Sequence, residues 1–190
     1  MKIRSVLTLV FLTAILLSCN KNSNSSGSGT KIDVSAQWIV DASGALVSGT
    51  GDGQWQSKIF TANELNLFAS LDTANLSGTT TPAAVQENAI RYNCIIPNPF
   101  NSNFQLYFHF TPGYAGQLVF KSVIVDNAMN PLFKKAERLQ AAVYGPLNLS
   151  ASNTILIAPN LPAGKYRLYY TLSSQANPHL YTSWGNIQAN

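Results

Sequence analysis

The sequence predicts an all-β protein, an antiparallel sandwich of about eight or nine strands with one or two short helices. Several segments of strand length alternate apolar and polar residues with a period of two, as half-buried strands do. Clusters of Gly, Pro and Asn separate these segments at the spacing of about 8–12 residues that is typical of sandwiches. The alternating helices of a parallel α/β architecture are missing, and no repeat suggests a solenoid.

Length and composition agree with one folded domain that has little surface charge. The 190 residues suit a single domain, and the 46% of hydrophobic residues suffice for a core. Charged residues make up 11%, whereas about 25% is usual, and 19 Asn, 19 Ser and 13 Thr supply most of the polarity. From residue 31 onward, 9 basic residues face 8 acidic ones without forming a basic block. Nucleic acid is therefore excluded as a partner.

The first 18 residues have the order of parts found in a secretory signal. A basic start, Met1–Arg4, precedes the twelve apolar or Thr residues of Val6–Leu17, which are too few to span a membrane. The end of this run and the next two residues, Leu16-Leu17-Ser18-Cys19, resemble the lipobox of bacterial lipoproteins. The resemblance implies that residues 1–18 are a signal peptide and that Cys19 carries three acyl chains, palmitate among them. Because two or more acyl chains anchor a protein stably, Cys19 is expected to hold the protein on a membrane.

Residues 20–30 contain no apolar side chain and are predicted to be a flexible tether of roughly 17–20 Å reach. The sequence is thus divided into residues 1–18 (signal peptide), 19–30 (lipidated cysteine and tether) and 31–190 (one sandwich domain). Asn20 is not the Asp that retains many lipoproteins at the inner membrane. The tether also lacks the acidic cluster that resembles a surface-export signal in Bacteroidota. We therefore expect the periplasmic face of the outer membrane, with the cell surface as the alternative.

The elements are predicted in chain order as follows. Ile32–Val40 and Ala45–Phe60 should form two or three strands. Thr61–Glu64 matches a capping box and favours a short helix over 61–70, although alternating apolar residues leave a strand open. Further strands are predicted over 90–96, 104–110, 118–125, 155–157, 165–172 and 180–187, of which 118–125 should be covered on both faces. Apolar spacing favours a helix over 131–143, but a hairpin from Asp126-Asn127 would make it a strand, and the sequence leaves this choice open.

Three segments resemble landmarks of immunoglobulin-like modules in Bacteroidota envelope proteins. They are Pro97-Asn98-Pro99-Phe100, Val123-Ile124-Val125-Asp126 and Leu161-Pro162-Ala163-Gly164-Lys165-Tyr166-Arg167. The resemblance covers residues 92–172 and implies an immunoglobulin-like β-sandwich. Similar modules serve as sorting domains of type IX secretion cargo, but this chain has its own lipid signal and a further strand after the resemblance. We therefore adopt the fold and not the sorting role.

No pattern in the sequence indicates catalysis, a metal or a cofactor. His109 and His179 are 70 residues apart and lack the neighbours of a metal site, and there is no Walker loop, nucleophile elbow or calcium loop. If Cys19 is lipidated, Cys94 has no partner for an internal disulfide and should pack as a small buried apolar residue. We expect a protein that is not an enzyme. A hydrolase with two carboxylates from distant strands is the catalytic alternative.

Aromatic side chains are the remaining candidates for contact with a ligand or partner, because their rings combine apolar faces with polar edges. The candidates are Trp38, Trp55, Tyr107, His109, Tyr169 and Trp184. Tyr181 joins Tyr107 and Tyr169 as a tyrosine at an alternate-face position of a predicted strand. Core packing is the competing interpretation. We expect a non-catalytic envelope lipoprotein that acts as an interaction or structural module, and a glycan-binding lipoprotein of a polysaccharide-uptake system is the alternative. Asp72-Thr73-Ala74 also resembles an O-glycosylation acceptor of Bacteroidota.

Overall fold

A computed structural model describes residues 31–51, 55–71, 90–110, 116–141, 152–174 and 180–190. The described part contains one helix, α1 (Ala62–Asn66), and nine strands. The strands are β1 (Trp38–Val40), β2 (Leu46–Gly49), β3 (Ile90–Ile96), β4 (Phe104–Phe110), β5 (Gly116–Val125), β6 (Pro131–Ala141), β7 (Ser152–Ile157), β8 (Gly164–Ser173) and β9 (Tyr181–Ala189). The predicted all-β class is confirmed.

Two antiparallel sheets form the sandwich. One has the strand order β3-β4-β7 and the other β6-β5-β8-β9, while β1 and β2 pair as a separate hairpin. In immunoglobulin terms, β3, β4 and β7 occupy the places of strands A, B and E, and β6, β5, β8 and β9 those of C′, C, F and G. The expected immunoglobulin-like sandwich is therefore the fold.

Tyr166, near the start of β8, gives the sandwich a tyrosine corner. Its hydroxyl donates a hydrogen bond of 2.9 Å to the carbonyl of Pro162, four residues upstream. Such a corner is a hallmark of immunoglobulin-like sandwiches, where it fixes the connection that enters strand F. Leu161–Arg167, one of the segments that carried the resemblance, thus has a defined structural role.

The main core lies between the two sheets and follows the predicted alternation. On β4 the residues Phe104, Leu106, Phe108 and Phe110 are fully buried, whereas the residues between them are half-buried or exposed. A polar network crosses this core. The Tyr170 hydroxyl donates to Asn93 Oδ1 at 2.5 Å, and Asn93 Nδ2 donates to the Tyr181 hydroxyl at 2.6 Å. Burial raises the pKa of Tyr170 well above its ordinary value.

A second core lies on the other side of the four-stranded sheet. Residues 60–71 cover this outer face, and Phe60, Leu67 and Phe68 pack there against side chains from β5 and β8. Strand β5 is accordingly buried on both faces, as its continuous apolar sequence predicts. Thr61 caps α1: its Oγ1 accepts from the Glu64 backbone at 3.3 Å, and Glu64 Oε2 accepts from the Thr61 backbone at 2.8 Å. The capping-box prediction of a short helix is confirmed.

The ambiguous segment 131–143 is a strand as far as it is described. Asp126 closes the turn before it by accepting hydrogen bonds from the Ala128 and Asn130 backbones, each at 2.9 Å. β6 then pairs with β5 along its whole length. β6 is an edge strand of its sheet, and edge strands commonly carry charged side chains. The apolar residues of this segment therefore do not alternate strictly, which is why their spacing resembled that of a helix.

The first predicted strand is shorter than expected. Only residues 38–40 of Ile32–Val40 form a strand, and residues 31–37 run along the sandwich without pairing to a neighbouring strand. Side chains hold this segment instead. Arg167 donates to the carbonyl of Asp33, and Asn186 Nδ2 donates to the carbonyl of Ala36 at 2.8 Å. These side chains satisfy backbone groups that a neighbouring strand would otherwise pair.

Candidate functional site

Trp55 is the clearest correction to the predicted contact residues. It is 6% exposed, and its ring stacks against Tyr170 with centroids 6.3 Å apart. The ring lies directly over Gly185, where a Cβ atom would come within 2.1 Å of it. Trp55 is thus a core residue, because Gly185 has no side chain and leaves room for its ring. The expectation that this ring contacts a ligand is wrong.

Tyr169 and Trp184 lie side by side on the outer face of the four-stranded sheet, as the β8–β9 register requires. Tyr169 is fully buried beneath α1 and meets Phe60 edge to face at 5.4 Å. Trp184 is half-buried, with the Arg167 guanidinium 3.8 Å and the Lys58 ammonium 5.2 Å from its ring centroid. These cation–π contacts engage the ring that the sequence suggested for a ligand.

A cavity of about 570 Å³ opens beside Tyr169, between α1, residue 32 and the β5–β6 turn. Its lining residues are Ile32, Lys58, Thr61, Asn63, Glu64, Asn66, Leu67, Met129 and Tyr169. Lys58 Nζ and Glu64 Oε1 are 3.7 Å apart at its wall. Burial alone would raise the pKa of Glu64, but the hydrogen bonds from Thr61 and the charge of Lys58 outweigh it and lower that pKa. The cavity could hold a small amphipathic molecule but presents no activated group.

Tyr107 and His109 lie on the opposite side of the protein, on the outer face of the three-stranded sheet. Both are half-buried, and the β3–β4 and β4–β7 registers place Cys94 and Thr154 on either side of Tyr107. We call this surface the uncharged face, because none of its described side chains is Lys, Arg, Asp or Glu. Those side chains are Cys94, Ile96, Gln105, Tyr107, His109, Thr154 and Leu156.

The other predicted site residues are separated from these two groups. Trp38 on β1 is half-buried and packs against the main core, and Tyr181 is buried within it. Cys94 is half-buried on an outer sheet face and not fully buried as predicted, and its partial burial raises the pKa of its thiol, which opposes thiolate chemistry. Cys19, Thr73 and His179 lie outside the described residues.

The five carboxylates in the described part of the chain all have structural partners. Asp33, Asp41 and Asp126 accept hydrogen bonds from nearby backbone N–H groups, which helps to lower their pKa values. Glu64 belongs to the capping box, and Glu137 pairs with Lys135 at 3.0 Å. A general acid needs a raised carboxyl pKa, which none of these four shifted groups has. Within the same residues, no group of three potential ligands could hold a metal ion.

The sequence analysis missed Lys58, Glu64 and Arg167, which surround Tyr169 and Trp184. The signal was present in part: Arg167 and Tyr169 are two residues apart and must share one face of a strand. What could not be seen was the pairing of β8 with β9, which brings Trp184 beside Tyr169.

No helix in the described ranges is long and apolar enough to cross a membrane.

Comparisons with known proteins leave the chain without an assigned family. No family model matches it, and no curated protein matches it. Among solved structures, a glycosyl hydrolase family 2 member from Bacteroides cellulosilyticus is similar over 54% of this chain, with 10% sequence identity and a TM-score of 0.32. The matched chain is much longer, and the similarity covers 15% of it.

Proposed function

We propose that this protein is a non-catalytic lipoprotein of a bacterial envelope, anchored through Cys19, whose sandwich acts as an interaction module. Its partner is another envelope protein, and the uncharged face is the contact surface. One observation carries the proposal: Tyr107, His109 and the 54% exposed Leu156 lie on a sheet face whose described side chains are uncharged. Protein interfaces are enriched in aromatic residues, and their cores are depleted of charge.

The carboxylates support a non-catalytic role. Each described one already serves a turn, a cap or an ion pair, so using it as an acid or base would cost structure. The lipobox resemblance and the polar tether support the anchor, because acyl chains on Cys19 would hold the domain at a membrane and a flexible tether by itself would not set its orientation.

A glycan-binding lipoprotein of a polysaccharide-uptake system is the second candidate. Tyr107 and His109 occupy alternate positions of β4, so their rings could offer neighbouring stacking surfaces to a sugar chain. Trp184 contributes less to this candidate, because Arg167 and Lys58 already lie over its ring. A glycan would therefore be bound on the same uncharged face as the protein partner.

Site-specific photo-crosslinking in intact cells tests the proposal. A photoreactive residue replaces Gln105 on the uncharged face, and the matched control carries it at Ser43, which is also exposed but lies in the β1–β2 turn. We expect a discrete protein adduct from position 105 and none from position 43. Equal or absent adducts at both positions would refute protein contact by this face. Retarded migration through a polysaccharide gel that Tyr107→Ala abolishes would instead favour the glycan candidate.

A further inference from the structure

The cations of this chain are gathered on one side of the sandwich. We call this side the cationic face; it comprises the outer face of the four-stranded sheet with the segments that cover it. Seven of the nine Lys and Arg residues from residue 31 onward belong to this side. Six are exposed or half-buried, namely Lys31, Lys58, Lys121, Lys134, Arg138 and Lys165, and the seventh, Arg167, is buried. Only Asp33, Glu64 and Asp126 oppose them among the described carboxylates on this side.

Strand registers place five of these residues, those on β5, β6 and β8, on the same face. Lys134 pairs with Val123, whose side chain lies in the outer core, and Lys134 Nζ reaches Ser70 at 2.5 Å. Arg138 and Lys121 follow on the same face by the alternation of β6 and β5. Lys135, the neighbour of Lys134, points to the other side and donates to the carbonyl of Leu156 at 2.7 Å.

The chain also joins the sandwich on the cationic face. The Ile32 backbone donates to Asn127 at 2.9 Å, and Lys165 Nζ donates to the carbonyl of Ser35 at 3.3 Å. Residue 31 is therefore fixed beside the β5–β6 turn. The eleven residues from 20 to 30 have a predicted reach of roughly 17–20 Å from Cys19 to this point. Ile59, which is 93% exposed, lies next to Lys58 on the same side.

We propose that the cationic face lies against the anionic phospholipid headgroups of the membrane that holds the acyl chains of Cys19. The proposal rests on the lipid anchor of the proposed function and adds an orientation to it. Charge complementarity selects this face, because each Lys or Arg near an anionic surface strengthens association about fivefold. The short tether keeps these cations within reach of the headgroups. The uncharged face then points away from the membrane, towards a partner.

Fluorescence quenching on vesicles measures this orientation with the full mature lipoprotein. In a Cys94→Ser background, a bimane label is placed at Ala69→Cys beside α1 or at Gln105→Cys on the uncharged face; both sites are exposed. The vesicles carry a headgroup nitroxide quencher and contain phosphatidylglycerol, or phosphatidylcholine alone. We expect stronger quenching at position 69 than at position 105, only with phosphatidylglycerol, and loss of this preference at high salt because salt screens exposed charges.

Two adjacent lysines provide a matched pair of variants. Lys134→Gln should weaken the preference for position 69 about fivefold, and the triple variant Lys121→Gln, Lys134→Gln, Arg138→Gln roughly a hundredfold. Lys135→Gln removes the same charge from the same strand but faces the other sheet, so it should leave the preference unchanged.

The outcomes separate this inference from the lipid anchor. Equal quenching at both positions, or a preference that survives high salt, would overturn the orientation while the protein still floats with vesicles. A protein that carries no acyl groups and stays in the aqueous phase would overturn the anchor and the orientation together. The comparison of low and high salt uses no substitution of a Lys or Arg residue, so the test remains valid even if a charge variant fails to fold.

Discussion

Gly185→Ala should destabilise the protein strongly, because it fills the gap that accepts the Trp55 ring. A Cβ at position 185 would lie 2.1 Å from two ring atoms of Trp55, whereas carbon atoms pack at about 3.5–4.0 Å. The ring would have to withdraw by roughly 1.5 Å, but Tyr170 lies stacked on it. Overpacking of this kind costs about 1–3 kcal/mol, and complete loss of a buried Trp costs about 3–5 kcal/mol. We expect about 3 kcal/mol.

Urea unfolding followed by far-UV circular dichroism measures this cost without relying on tryptophan fluorescence. A loss of about 3 kcal/mol should move the midpoint by roughly 1–2 M urea at an unchanged slope. The same substitution in a Trp55→Leu background should cost less than about 1 kcal/mol, since the clashing ring is gone. Equal costs in both backgrounds, or a cost of Gly185→Ala below about 1 kcal/mol, would refute the placement of Trp55.

Three further predictions concern single side chains. Tyr166→Phe removes the hydrogen bond to Pro162 and should cost about 1–2 kcal/mol in urea unfolding, and an unchanged midpoint would argue against a working tyrosine corner. Glu64→Gln keeps a side chain that a capping box accepts but removes its negative charge at the helix N-terminus, and should cost about 0.5–1 kcal/mol at pH 7. Folding lowers the pKa of Glu64, so this stabilisation is present above about pH 4.3 and is lost as the pH falls through the pKa of the folded state. Parent and variant should therefore have the same stability in acid. A difference in stability that persists there would contradict the charged capping box. Burial raises the pKa of Cys94, so Ellman's reagent should react more slowly with the folded than with the urea-unfolded protein, and equal rates would contradict its position.

Local patterns carried the predictions that the structure confirms. The alternation along β4 depends only on which residues face the core, so the sequence of Phe104–Phe110 suffices to predict its burial. The capping box likewise involves side chains three residues apart, Thr61 and Glu64. In both cases the interacting groups are close together in the chain, and the pattern determines the structure.

The features that were missed depend on distant partners. Trp55 is buried because Gly185, 130 residues later, leaves room for its ring. Residues 31–37 are held by Arg167 and Asn186 rather than by a strand. The cationic face also becomes visible only when the registers of β5, β6 and β8 are known, because the overall charge balance of the domain is nearly neutral.

The first residue of the mature protein tests the central claim most directly. Mass spectrometry of the N-terminal peptide, prepared from the membrane fraction of the native bacterium, should show a chain that begins at Cys19 and carries a diacylglyceryl group and a further acyl chain. The same peptide from a Cys19→Ser variant should lack all of these groups. A chain recovered from the soluble fraction with residues 1–18 attached, or with an unmodified Cys19, would contradict a lipid-anchored interaction module.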